Sequence, residues 1–201
     1  MFYETARNDH GLPHDPFKAI VGPRPIGWIS TVDREGRVNL APYSFFNAVC
    51  SRPPMVVFSS EGRKDSVANI IATGEFVCSL ATLDLAQAMN VTSAPLPHGE
   101  NEMAHAGLAA APSRLVRPPR VAASPVALEC RAVKVEEISD LSGTPLDRWL
   151  VLGQVVGIHI DERFIVNGKL DTAAMKPIAR LGYMDYAVVD RTFTLQRPPG
   201  G

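Results

Sequence analysis

The sequence predicts a mainly β fold, a closed or split antiparallel barrel with short peripheral helices. Three observations predict it. About seven or eight strand-like runs succeed one another along the chain, most of them bounded by Gly, Pro, Asn, Asp or Ser. The regular strand–helix alternation of a doubly wound sheet is missing. Helical periodicity is confined to short stretches on the connections. At 201 residues the chain reads as a single domain, 1–201, long enough to bury a proper core.

The elements follow in order. Residues 1–23 are an irregular lead-in in which FKAI forms one apolar turn before Gly22-Pro23 stops it. Pro25 to Val32 has strand character, Asp33-Arg34-Glu35-Gly36 signals a turn, and Val38 to Ala41 returns as the other half of a hairpin. Ser44 to Val49 is extended, Arg52-Pro53-Pro54 interrupts it, and Met55 to Ser60 is a buried strand. Asp65 or Ser66 caps a helix running to about Thr73, with Gly74 as its C-cap. Phe76 to Ala81 is again strand, followed by the helix-prone LDLAQAMN. From Val91 to Pro119 the pattern breaks on Pro and Gly, and only Glu100 to Ala106 reads as helix; so long an excursion suits a lid or a partner contact. From Val126 on, apolar positions alternate with Glu129 and Arg131, the mark of a half-buried strand. Trp149 to Ile160 is a long strand with bulges expected at Gly153 and Gly157. VNGKLD is a turn, TAAMKPIARLG an irregular helix or loop, and TFTL a last edge strand before the tail Arg197 to Gly201.

Composition narrows the function classes. The balance of 20 basic against 21 acidic residues leaves a net charge of -1, and no basic run suits nucleic acid or a membrane surface. The N-terminal MFYETARNDHG carries acids and lacks an apolar core segment, which argues against a signal peptide, and no apolar run approaches the ~20 residues that span a bilayer. Cys50, Cys78 and Cys130 are odd in number and far apart, and the last two sit in apolar strands; free thiols in a reducing cytoplasm are expected.

The chemistry concentrates in two places. Arg24 to Asn47 gathers apolar faces (Trp28, Ile29) and hydrogen-bonding groups (Ser30, Thr31, Asn39, Ser44, Asn47), a mixture suited to a flat, heteroatom-rich ligand. Trp28 taken alone is more readily a core tryptophan. The loop SSEGRKDS runs from a strand end into a helix start, where Ser59, Ser60, Ser66, Arg63 and Lys64 with free helix amides would converge on one anion, a phosphate being the natural candidate. His98 and His105, with Glu100 and Glu102 between them, match no zinc spacing and read as solvated loop residues, or as part of a lid over residues 95–106. His159 points away from the Ile158/Ile160 face towards the surface, an interface or a nicotinamide ring. Neither GxSxG nor GxGxxG occurs, so hydrolase and Rossmann readings have no footing.

RPIGWIST, NLAPYSFFN, PPMVVFS, KDSVANI with GEFV, and RLGY, in that order over about residues 15–190, resemble the flavin reductase-like family of FMN-binding split-barrel proteins, in its longer, flavoredoxin-like branch. The resemblance implies a six-stranded antiparallel split barrel with Greek-key elements. It also implies a homodimer and a flavin, FMN with FAD as the alternative, reduced by NADH or NADPH and discharged to an acceptor or to a monooxygenase or electron-transfer protein partner. An electron carrier or a flavin-storage protein is the alternative. Carried over by position, the implied flavin neighbours are Trp28, Ile29 and Ser30, then Asn39, Ala41, Pro42, Tyr43, Ser44, Phe45 and Asn47. Ser59, Lys64, Asp65 and Ser66 match the phosphate and ribityl side, and Arg180 and Gly182 a late approach to the cofactor. The flavin would carry the redox chemistry, so no catalytic acid or base is expected.

Overall fold

In the computed structural model residues 1–198 are described. The main sheet takes its strands from β1 (Gly27–Val32), β2 (Val38–Tyr43), β3 (Phe46–Ser51), β4 (Pro54–Glu61), β5 (Glu75–Leu80), β6 (Val126–Ser139) and β7 (Pro145–Ile160). They hydrogen-bond in the order β2-β1-β5-β6-β7-β4-β3, every pair antiparallel. β2 and β3 lie at opposite edges of the sheet, yet only Ser44 and Phe45 separate them in the chain. The sheet therefore curls until its edges approach each other, and the Ser59 amide donates to the Phe45 carbonyl at 2.9 Å, carrying the β3–β4 ladder into that connection. Ile29, Tyr43, Phe58, Phe76, Cys130 and Val151 show that six strands, all but β3, supply the buried interior, while β3 adds only the partly buried Phe46. That is the expected six-stranded split barrel.

Local signals hold where their physical cause is local. The β1–β2 turn closes with Gly36 at φ 85° and with both Asp33 carboxylate oxygens bound by Arg37. The β6–β7 pairing shifts register at Leu152/Gly153 and again at Val155/Gly157, where the two glycines foreshadow bulges. At Gly153 the reason is close approach: a Cβ there would lie 2.4 Å from the Phe76 ring. Helix α1 (Asp65–Thr73) plugs one end of the barrel with Val67 and Ile70, and ends at Gly74, whose amide bonds the Ile70 carbonyl at 2.8 Å in the left-handed conformation.

β1 is buried on both faces. Its outer side is covered by α2 (Ala86–Val91) and by the long excursion that follows it, whose α3 spans Glu102–His105; Met89 and Met103 meet Trp28, Leu40 and Ile178 in a second core. Each large side chain buried there is worth about 1.5–3 kcal/mol of transfer free energy. A small sheet of Arg24–Pro25, Ile178–Arg180 and Tyr186–Val188 flanks this second core.

Three expectations are corrected. TFTL is not a strand: Phe193 and Leu195 are 84% and 80% exposed, and Tyr186–Val188 takes the outer place on the small sheet. The cap position of α1 is Lys64, without any side-chain cap, because Asp65 and Ser66 are engaged elsewhere. Glu129 is not solvent-facing but 1% exposed, because the segment at Arg114 and Leu115 folds over its side of β6. Of the tail, residues 199–201 lie outside the described residues.

Candidate functional site

A cavity of about 490 Å³ opens between β2, the start of α1 and the excursion. β2 contributes Asn39, Ala41, Pro42 and Tyr43; the start of α1 contributes Lys64, Asp65 and Ser66; the excursion closes it with Thr92–Leu96, His98 and Glu102. Seven residues singled out by sequence thus meet in one place although 20 positions intervene between Tyr43 and Lys64-Asp65-Ser66 — a gap the hairpin of β3 and β4 bridges.

The groups are mutually oriented. Asn39 donates its amide to the Ser66 hydroxyl at 2.8 Å. Burial pushes the Tyr43 phenol up, outweighing the lowering effect of the neighbouring Ser66 and Ser60 hydroxyls, so it stays neutral. Because no side chain caps α1, its first amides are left for a ligand, beside the Lys64 ammonium. His98 Nδ1 lies 2.8 Å from Asp65 Oδ1 and so offsets an acid that would oppose an anion. Glu102 accepts the Leu40 amide at 2.8 Å; burial raises its carboxyl above the usual range. His98 and Glu102 therefore both belong to the cavity wall.

Two further depressions follow on from it. One of about 390 Å³ shares Pro42 and Ser93 with the first and is walled by Ser44, Lys18, Arg24 and Arg180. Another, of about 660 Å³, shares Ser44 and Arg24 with the second and holds Phe45, Asn47 and Ser59. Ser44, Phe45, Asn47, Ser59 and Arg180 thus line these adjoining depressions without reaching the first cavity.

Other expected contacts fall away from it. Trp28, Ile29 and Ser30 are each 0% exposed and line none of the three depressions. Trp28 donates its indole N–H to Thr92 Oγ1 at 2.9 Å, Ile29 packs inside the barrel and Ser30 bonds the Pro119 carbonyl. The reason is position: β1 lies between β2 and β5 and is covered by the excursion. Gly182 is a packing glycine, since a Cβ would sit 2.4 Å from that of Ala19. The loop Ser59 to Ser66 does not gather on one anion: Ser60 bonds the Gly62 carbonyl, and the Arg63 guanidinium lies 5.9 Å from the Trp149 ring centroid. His159 meets Glu129, with 2.5 Å between Nε2 and Oε1. Cys78 and Cys130 are buried and inert, the Cys78 thiol pushed up to about 12 by burial, whereas Cys50 is exposed on β3.

Sequence reasoning missed Thr92–Ala94 as cavity wall and gave Lys18 and Arg24 no role. The length of the excursion was the only signal for the first. For the second there was none, because both act through elements far apart in the chain.

Comparison with known proteins is consistent with this geometry. Residues 22–173 match the model of the flavin reductase like domain. An uncharacterised protein of Halalkalibacterium halodurans is 36% identical over 191 residues, 90% of each chain. Nitrilotriacetate monooxygenase component B from Bacillus cereus superposes with a TM-score of 0.86 at 30% identity, covering 97% of this chain and 98% of its own. The 2-nitrobenzoate 2-nitroreductase of Pseudomonas fluorescens gives 0.85 at 26% identity, covering 100% and 98%.

Proposed function

The chain belongs to the flavin reductase-like family, and from that premise we propose that it is an FMN-binding oxidoreductase that accepts reducing equivalents from NADH or NADPH. The observation that carries this reading is the convergence of Asn39, Ala41–Tyr43 and Lys64–Ser66 on one cavity of about 490 Å³, a volume ordinary for a cofactor site. The residues present fit a flavin mononucleotide. Lys64, the Ser66 hydroxyl and the uncapped amides of α1 suit its phosphate, Ala41 and Pro42 offer an apolar face, and Asn39 and Tyr43 supply polar edges. A bound flavin would supply hydride acceptance and electron delivery; the protein's part is binding, orientation and electrostatics. The wall from Thr92 to Leu96 would keep water from the site, and His98 would hold Asp65 away from the phosphate.

Homodimerisation in the cytoplasm is part of the proposal. Ile20, Val21 and Val49 are 71%, 46% and 54% exposed around the edge where β3 ends the sheet, and a second copy would cover them. Sedimentation of the purified protein as a monomer would remove that part. The likeness to a monooxygenase component supports delivery to a partner oxygenase. The likeness to a nitroreductase favours a second reading, in which a small organic acceptor is reduced on this chain.

The test is an absorption spectrum of the desalted, FMN-loaded protein under anaerobic addition of each nucleotide. Bleaching establishes the reductase and its donor. A flavin that stays oxidised points to a carrier or a storage protein, and failure to bind FMN at all overturns the reading. Lys64→Ala with Ser66→Ala should weaken FMN binding about a hundredfold, two charge-assisted hydrogen bonds being lost.

A further inference from the structure

The 390 Å³ depression beside the proposed flavin cavity has a charge pattern that its own residues leave unbalanced. Lys18, Arg24 and Arg180 line it, and no carboxylate does among the described residues. Arg24 and Arg180 stand directly opposite each other in the antiparallel pairing of Arg24–Pro25 with Ile178–Arg180. Like charges in that relation repel. Arg24 is only 6% exposed, and its guanidinium donates to the carbonyls of Lys18, Val21 and Leu181, none of which carries a formal charge. Its Nε is buried with no partner at all. Arg180 donates to the Tyr186 hydroxyl and the Tyr183 carbonyl, again without an acid. Lys18 has only Glu61, 3.8 Å away, and both side chains are more than half exposed. Burial and the field of Arg180 both act to lower the Arg24 pKa. A buried cation held against a second cation is costly unless an anion completes the site.

We infer that Lys18, Arg24 and Arg180 form a binding site for the oxyanion of a second small ligand, a phosphate or a carboxylate, separate from the Lys64–Ser66 grip. The depression shares Pro42 and Ser93 with the first cavity, so a molecule anchored here by its anionic end reaches the flavin site with the rest. Tyr183 and Tyr186 add aromatic surface on the same wall. This assigns a class to the donor or acceptor of the reaction proposed above, and the last step rests on that reading; the anion site itself does not.

The experiment is calorimetric titration of inorganic pyrophosphate, and separately of benzoate, into the FMN-saturated protein and into its Arg180→Gln and Lys18→Gln variants. Both substitutions replace side chains at least partly open to solvent, so folding should survive where Arg24 variants could fail. Binding of either probe is expected, weakened about tenfold or more by Arg180→Gln, the loss of one charge-assisted hydrogen bond. Tighter binding of pyrophosphate identifies a nucleotide as the natural source of the oxyanion; tighter binding of benzoate identifies an organic acid. Failure of both probes to bind, binding indifferent to Arg180→Gln, or displacement of FMN by the probe would each overturn the inference, the last by giving the site to the flavin's own phosphate. Should the protein bind no FMN, the same titration on the purified chain still decides the anion site, while the proposed function falls separately.

Discussion

Glu129 and Arg24 are both charged side chains withdrawn from water, 1% and 6% exposed, and the fold treats them oppositely. The Glu129 carboxylate accepts the amides of Arg114 at 2.7 Å and Leu115 at 2.6 Å and pairs with His159. Arg24 meets neutral carbonyls, faces another arginine and leaves one N–H without an acceptor. A buried charge with a full complement of partners is an anchor, here pinning the end of the excursion to β6 and β7. One with an incomplete complement is costly to hold and so points to something that binds.

The comparison breaks most visibly at Glu129. Glu129→Ala strands two amides and His159 without an acceptor, and urea unfolding should show a loss of about 3 kcal/mol. Losing less than a surface substitution does would mean that the clasp anchors nothing. His159→Ala removes one donor of three, with an expected loss of about 1.5 kcal/mol.

The same clasp has a pH signature. Burial alone would raise the Glu129 carboxyl, but the Arg114 amide, His159 and the Leu115 amide outweigh it and hold the group below its ordinary value of 4.5. Its contribution is therefore complete above pH 4.5 and is lost as the pH falls through the lower, folded value. Thermal melts of His159→Ala should show a shallower acid decline, because less of the depression remains to be lost.

At the other pole the sign reverses. Arg180→Gln relieves the repulsion with Arg24, so the ligand-free protein should gain about 0.5 kcal/mol in the same urea assay while binding of the anion weakens. A loss of stability instead would make Arg180 an anchor like Glu129. The smallest effect expected is that of salt: raising ionic strength should narrow the gap between wild type and Arg180→Gln, since Arg180 lies close to solvent.

The two residues also mark how far sequence reasoning reaches. Strand alternation from Val126 was legible, and with it β6, but alternation says only which side faces away from the barrel. Whether that side meets water depends on the segment at Arg114 and Leu115, 14 or more positions earlier. Likewise Trp28, Ile29 and Ser30 carry the family pattern, yet Ile29 turns into the barrel and the excursion covers Trp28 and Ser30, and nothing local says where a Pro-broken segment will lie. Asn39 to Tyr43 and Lys64 to Ser66 were singled out by the family pattern and by residue types suited to a planar ring and to an anion, and those signals do not depend on the path that joins them.

By itself, then, the sequence determined the barrel and its punctuation: the turn at Gly36, the end of α1 at Gly74, the bulges at Gly153 and Gly157, and the hydroxyl, amide and lysine groups fit for a cofactor. Each of these follows from backbone conformation, side-chain period or group chemistry within a few residues. Tertiary structure alone decided that Glu129 would be sealed beneath the Arg114–Leu115 segment and that Arg24 would face Arg180 across 156 positions. The cost of burying a charge depends on which groups surround it in space, and that neighbourhood comes into being only when the chain closes.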